Sequence, residues 1–502
     1  MNGEELPSGS QEDAHIADVT LSTRMSKLGE QGWLPDYLLA NGEIRTGTAL
    51  FTDESGNITR FSQAPADLAA ARRLKGRAVF PGLVNVHSHT FQRVIRGRTE
   101  WRNRGEHDTF WTWRDKMYDA ATRLTPEQIY QTARAAFLEM VLSGITTVGE
   151  FHYLHHQADG TRYDDPNLLG KLVAQAAREV GLRIVLLRTA YLRAGYGQAP
   201  NPGQTRFITA DPATFISDTE ELSGWVRKSY PGGEVGVGVA PHSVRAVTRD
   251  YLCEIVGYAR QHELRVHMHI SEQPGENEAC IQEYGVSPVT WLQQMDVLGP
   301  RFTAVHAIHI SEAEAGFLAE SGSSVCACPT SERNLADGAV RADWLLARGA
   351  NLCLGSDSQI QIDLLEDARL IEYHLRMQQL ERVVLDPATP GRERLSRLLY
   401  EATSKSGAKS LGQNVGELAI GKPADFVVID LDDPSIAGAS PDTLLAHVVF
   451  SLERTAIKEV YAGGQLRVVD GRHPFQEDII GEFKAVQERF WQSSPSARWN
   501  DR

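Results

Sequence analysis

The sequence predicts an α/β protein, a (β/α)8 TIM barrel with a small β-sandwich domain built from both termini. Three observations predict it. Between about residues 81 and 412, eight short apolar runs alternate with helical stretches, which is the rhythm of a parallel barrel. Most of these runs lead straight into polar residue types able to do chemistry, and in such a barrel these collect at the C-terminal strand ends. Short β-like runs bounded by turn residues also occur before the barrel and again after it.

Taken in order, residues 1–32 are polar, Gly/Ser/Glu-rich and non-periodic, and read as a flexible leader. Residues 33–80 contain the runs 37–40, before Asn41-Gly42, and 49–52, before Asp53-Glu54-Ser55-Gly56. Residues 413–475 return the same signature in Asp425-Phe-Val-Val-Ile-Asp430 and in Ile457-Lys-Glu-Val-Tyr-Ala462 before Gly463-Gly464. These two stretches are expected to form one composite domain, with the barrel of 81–412 inserted between them and 476–502 following as a tail or helix. The barrel strands are expected at 83–86, 146–151, 183–188, 235–240, 265–269, 303–306, 324–328 and 351–355. Their ends run into His87-Ser-His89, His152-Tyr153, His242-Ser-Val-Arg245, Ser271-Glu272, His306, Pro329-Thr-Ser-Glu332 and Ser356-Asp357-Ser358.

At 502 residues the chain has ample length for a large core without cross-links. Its five cysteines are sparse and odd in number, and Cys326 and Cys328 do not form a C-x-x-C pair, which fits a reducing, cytoplasmic compartment. The N-terminus lacks the basic and apolar regions of a secretory signal, and no run of about 18 apolar residues suits a membrane span. A net charge of -14 argues against a nucleic-acid partner, which calls for a clustered basic face. It leaves room for a small anion, because a few arginines can reverse the field locally.

His87 and His89 are two apart at a strand end, so the period of a strand turns both imidazoles to one side. Two neutral imidazoles suit zinc, although such a pair alone is equally well read as polar residues near a strand end. His269, in His267-Met-His269-Ile-Ser-Glu272, is a candidate third ligand, with Glu272 three residues on and free to face a substrate. The alternative is that these are satisfied groups of the barrel core. Asp357 can bind an ion and take a proton from its water, or simply cap a helix. His306 is a candidate catalytic group or a structural histidine. Together, ligands from the first, fifth and eighth strands can surround one ion and leave a position for water.

On these residues the chain resembles the amidohydrolase superfamily, in its deaminase-like branch. The resemblance runs from about Leu34 to Phe475 and is carried by Pro81-Gly-Leu-Val-Asn-Val-His87-Ser-His89, His269-x-x-Glu272, His306, Gly355-Ser-Asp357 and Gly416-Glu-Leu-Ala-Ile-Gly-Lys-Pro-Ala-Asp425. It implies one zinc ion per subunit on His87, His89, His269 and Asp357. Binuclear relatives carry a carboxylated lysine on the fourth strand, where this chain has Ala240-Pro-His242-Ser-Val-Arg245. It also implies catalytic roles for three residues: Asp357 accepts the proton of the water, His306 orients or stabilises the nucleophile, and protonated Glu272 donates to the nitrogen of a C=N group. Metal identity beyond a divalent transition ion stays open.

The resemblance extends to the loops and implies a small-molecule substrate, a dicarboxylate amidine that loses ammonia. Arg114 and Arg245 can each grip a carboxylate bidentately, and Gln92, Tyr153 and His242 add neutral or switchable donors. The resemblance assigns all five to the substrate. Read alone, Arg114 could equally form a surface ion pair and Tyr153 belong to the core. Trp111, Trp113, Tyr118 and the pair Cys326 and Cys328 read as packing, and His152, His155 and His156 lack the carboxylate partners of a second metal. The alternative is a deaminase of a guanine, guanidino or adenosine-type substrate, against which two arginines beside Gln92 argue. A non-catalytic scaffold on a retained barrel would tend to have lost ligands that are all present here. The resemblance further implies a homodimer.

Overall fold

The computed structural model describes residues 29–102, 107–386 and 393–492. Most of the expected leader therefore lies outside the described residues. Eight parallel strands form one sheet in sequential order: β1 (Leu83–Ser88), β2 (Ile145–His152), β3 (Arg183–Ala190), β4 (Val235–Pro241), β5 (Val266–Ile270), β6 (Phe302–His306), β7 (Ser324–Ala327) and β8 (Asn351–Leu354). Each lies within two residues of its expected bounds, because a strand of a parallel barrel is covered on both faces and reads as a short continuous apolar run. The sheet curls until its ends meet, with Ser88 bridging Asp357 in parallel, His89 N donating to Asp357 O at 3.0 Å, and Asp357 N donating to His87 O at 2.9 Å.

Gly355 permits this closure. A Cβ there would stand 2.7 Å from the Cβ of His87 and 2.9 Å from its backbone nitrogen, so no other residue lets β8 approach β1 this closely. The seam thereby places Asp357 directly beside the His87-Ser-His89 segment.

Both termini build a separate mixed sheet in the order Gln465–Val468, Ile457–Ala462, Phe426–Asp430, Arg72–Pro81, Gln31–Ala40, Ala49–Thr52 and Ile58–Ser62, with Glu43–Arg45 paired to Gln31–Ala40. Its side chains alternate between two cores. Ala78, Phe80, Val427 and Ile429 join the barrel's core, whereas Val79, Phe426 and Val428 join Trp33, Leu50 and Tyr461 in a second one. Only Gly82 separates Arg72–Pro81 from β1, so the sheet delivers the chain straight into the first metal-bearing strand candidate. The C-terminal helix Gln476–Gln492 returns to the barrel, and Gln487 Nε2 donates to Val94 O at 2.9 Å in the short 3-10 helix Thr90–Ile95 that carries Gln92. Among the described residues, no helix is long and apolar enough to cross a membrane.

One buried ion pair ties β3 to the helix Pro212–Ser229. Arg188, 1% exposed, donates through Nη2 to Asp218 at 2.9 Å and through Nε to Asn167 at 3.1 Å, with its guanidinium 4.8 Å from the Phe215 ring. Asp218→Ala would strand that cation in the core, and we expect a loss of ~3–5 kcal/mol in folding stability, measured by denaturant unfolding. A loss below about 1 kcal/mol would show that solvent reaches Arg188.

Candidate active site

The strand ends bring the expected ligands together. His87 ends β1, His89 follows it, His269 lies in β5 and Asp357 follows β8; all are at most 5% exposed. His269 Nε2 stands 3.1 Å from His87 Nε2 and 3.3 Å from His89 Nε2, while Asp357 Oδ1 stands 3.3 Å from His87 Nε2 and 3.4 Å from His89 Nε2.

The proton positions in this cluster follow from its backbone contacts. His89 Nδ1 lies 2.9 Å from Phe151 O and His269 Nδ1 lies 3.1 Å from His242 O. A carbonyl only accepts, so both Nδ1 atoms carry the proton and both Nε2 atoms present lone pairs. Two such lone pairs facing each other at 3.3 Å are repulsive unless a cation lies between them. Burial disfavours protonation here, pushing His89 down to about 3, His269 well below the ordinary imidazole range and His87 downward too. Neutral imidazoles beside a carboxylate are the donor set of a borderline divalent ion, so the residues fit a metal.

His306 also reaches the cluster: one ligand atom each from His87, His269, His306 and Asp357 lies within 4.8 Å of the others. Its ring has a different setting. Its Nδ1 is 3.2 Å from Glu332 Oε1 and its Nε2 is 3.6 Å from Glu272 Oε1 without a hydrogen bond. Burial opposes the charged ring, but the carboxylates of Glu272 and Glu332 outweigh it and raise His306 well above its ordinary range. This setting between two carboxylates separates His306 from the other histidines. Glu272, 6% exposed, is raised to about 7, by burial first and with Asp357 adding to the shift. It can therefore hold a proton near neutrality.

The strand-end turns are strained where these groups sit. Ser271, His306, Ala307, Asp357 and Gln359 all take positive φ, between 48° and 71°. Such backbone costs free energy and persists where surrounding contacts enforce it. Glu150 on β2 supplies some of those contacts, accepting from Thr90 N and Thr90 Oγ at 2.7 Å each and from Ser88 Oγ at 2.5 Å, so it braces both sides of His89. Ser331 Oγ likewise donates to Asp357 Oδ2.

The expected substrate residues lie near the cluster and near one another. Gln92 Nε2 donates to Tyr153 Oη at 2.9 Å, and the Tyr153 ring is 5.1 Å from His89 and 5.7 Å from His242. His242 accepts through its carbonyl from His269, so it touches the ligand cluster directly. Arg245, 9% exposed, is 3.5 Å from Glu276 but makes no hydrogen bond through Nε; Arg114, on the helix Phe110–Arg123, also has no partner at its buried Nε. Both guanidinium groups face the Trp111 ring, at 4.5 Å for Arg114 and 5.7 Å for Arg245. Trp111, expected to pack, is 37% exposed and packs against both cations. Tyr118 likewise joins a polar group, in which Gln204 Nε2 donates to Tyr118 Oη at 2.8 Å and to Tyr191 Oη at 2.7 Å. His155 and His156 donate through Nε2 to the carbonyls of Thr189 and Ile208, each at 2.8 Å, and stand apart from the cluster.

Sequence reasoning missed Glu332, Ser331, Glu150, Glu276, Tyr191 and Gln204. The polar run Pro329-Thr-Ser-Glu332 after β7 was a usable signal for Ser331 and Glu332. Tyr191 and Gln204 lie beyond β3 in a stretch with no periodic or motif signature.

An amidohydrolase family model matches residues 78–467. The chain belongs to the amidohydrolase family. Within this family it is 38% identical over 422 residues to the formimidoylglutamate deiminase of Pseudomonas aeruginosa, covering 84% of this chain and 91% of that protein. It is 30% identical over 441 residues to the 8-oxoguanine deaminase of the same organism, covering 86% and 92%. An amidohydrolase from Brucella melitensis superposes with a TM-score of 0.83 at 31% identity, covering 92% of this chain and 99% of that one. Amidohydrolases bind a metal, and the histidines and aspartate at the seam offer this one a place for it.

Proposed function

We propose that this amidohydrolase hydrolyses N-formimidoyl-L-glutamate to N-formyl-L-glutamate and ammonia, using one zinc ion per subunit held by His87, His89, His269 and Asp357. The observation that carries the substrate is the pair of guanidinium groups over Trp111, Arg114 with an unpartnered Nε–H and Arg245 ion-paired to Glu276 at 3.5 Å without a hydrogen bond, in a protein of net charge -14. Two guanidinium forks suit two carboxylates and offer little to a nucleobase. The likeness to the Pseudomonas aeruginosa formimidoylglutamate deiminase supports the same substrate.

When bound, zinc acidifies a water and polarises the carbon of the C=N group. Arg114 and Arg245 bind the two carboxylates, with Gln92, Tyr153 and His242 donating beside them. Asp357 takes the proton of the attacking water, and His306, held at Nδ1 by Glu332, steadies the attacking oxygen. The water oxygen bonds to the amidine carbon, whose nitrogen arrives protonated; Glu272 then gives its proton to the amino nitrogen of this adduct and takes back the hydroxyl proton as C=O forms, the C–N bond breaks, and ammonia leaves with the proton Asp357 holds. The enzyme then belongs to histidine degradation. Its five cysteines are all free, in keeping with a cytoplasmic protein, and we take it to work as a homodimer. We also take 33–80 with 413–475 as one domain and 81–412 as the other.

Ammonia release from N-formimidoyl-L-glutamate, guanine and adenosine tests the reading. We expect kcat/KM to favour the formimidoyl substrate by about 10³-fold or more, because a nucleobase offers neither arginine a carboxylate. A higher kcat/KM for either nucleobase compound would overturn it.

A further inference from the structure

Asp337 is a second buried carboxyl group that the reaction above leaves unused. It is 3% exposed and follows Ala336, which takes φ 59° at the end of the helix Pro329–Leu335. Its backbone is fixed: Asp337 N donates to Glu332 O at 2.9 Å, and its carbonyl accepts from His309 Nε2 at 2.8 Å. Its Oδ1 accepts from Gln273 Nε2, on the residue next to Glu272, but its Oδ2 has no partner. Among the described residues no lysine, arginine or histidine pairs with this carboxyl group. A buried carboxyl oxygen without a partner costs free energy and calls for one.

The site therefore has opposite ends. Arg114 and Arg245 bring N–H donors, whereas Glu272, 3.6 Å from His306, and Asp337, reached from the neighbouring Gln273, bring carboxyl oxygens, of which Asp337 Oδ2 has no partner. An N-substituted formamidine is a strong base, so in neutral water it is an amidinium cation with N–H donors and no acceptor. We propose that Asp337 binds the amidinium end of the substrate through Oδ2, opposite Glu272, and thereby selects a cationic C–N centre over a neutral one. This rests on the substrate class proposed above. Burial, and after it the charge of Glu272, raise Asp337 to about 10, so the empty pocket keeps a proton on it that an arriving cation lets go. Gln273 acts as a positioning residue, since it holds the other carboxyl oxygen.

The test compares two ligands that share the glutamate portion. N-formimidoyl-L-glutamate carries the cationic end, and N-formyl-L-glutamate presents a neutral formamide in its place. In Asp337→Asn we expect KM for the formimidoyl compound to rise about tenfold to a hundredfold, as for loss of a charge-assisted hydrogen bond. The inhibition constant of N-formyl-L-glutamate should shift less than about threefold on the same basis. Asp337→Ser, smaller and equally neutral, should show the same split if the asparagine variant folds poorly. Equal weakening of both ligands in the folded variants would mean that Asp337 only supports the loop, and no weakening of either would mean that it does not touch the substrate; both overturn the proposal. If the wild-type enzyme binds N-formyl-L-glutamate but releases no ammonia from the formimidoyl compound, it is the substrate reading that fails.

Discussion

Glu272→Gln should lower kcat by about 10³-fold while KM changes by no more than about threefold, because the side chain keeps its shape and loses only the proton it transfers. Glu272 is buried and stands 3.6 Å from His306. Burial lifts it to about 7, so in the wild type it can both carry a proton and release one near neutrality. A glutamine can donate a hydrogen bond to the amino nitrogen of the adduct but cannot give up the proton, so the amine does not become a leaving group. The substitution also removes a carboxyl group whose ionised form is poorly solvated. Thermal unfolding should therefore be unchanged or slightly higher, which separates lost chemistry from lost structure. Steady-state rates of ammonia release, with circular dichroism on the same samples, check both. A variant that turns over within about tenfold of the wild type would remove Glu272 as proton donor.

Different parts of the molecule were legible in the sequence to different degrees, for physical reasons. The eight strands could be read because burial on both faces compresses each into a short apolar run, and the ligands could be read because a barrel places chemistry where such a run ends. His87, His89, His269, His306 and Asp357 all satisfy that local rule. Asp357 still needed the seam, since only the close approach of Gly355 to His87 decides between a helix cap and a member of the cluster. The contact of Trp111 with Arg245 was not legible because it spans more than a hundred residues. Glu332, Glu150 and Asp337 act through carboxyl oxygens whose partners come from other strand ends. No spacing within one segment announces such pairs.

Asp357→Asn should have the other large effect, and in two separable stages. Asp357 Oδ1 lies 3.3 Å from His87 Nε2 and 3.4 Å from His89 Nε2, and its carboxyl is lowered from the usual range by hydrogen bonding to His87 and by the nearby histidines, although burial alone would raise it. It is therefore ionised beside neutral imidazoles, able to share in holding a cation and to accept a proton. An asparagine keeps the oxygen but loses the charge. Metal content of the purified variant should fall below one equivalent, and added zinc should restore it, because His87, His89 and His269 still present their lone pairs. Activity should not return with the metal: the amide cannot accept the water's proton, so kcat should remain at least about 10³-fold down at full occupancy. Recovery of activity in proportion to bound zinc would instead confine Asp357 to holding the ion and leave His306 or Glu272 to receive the proton.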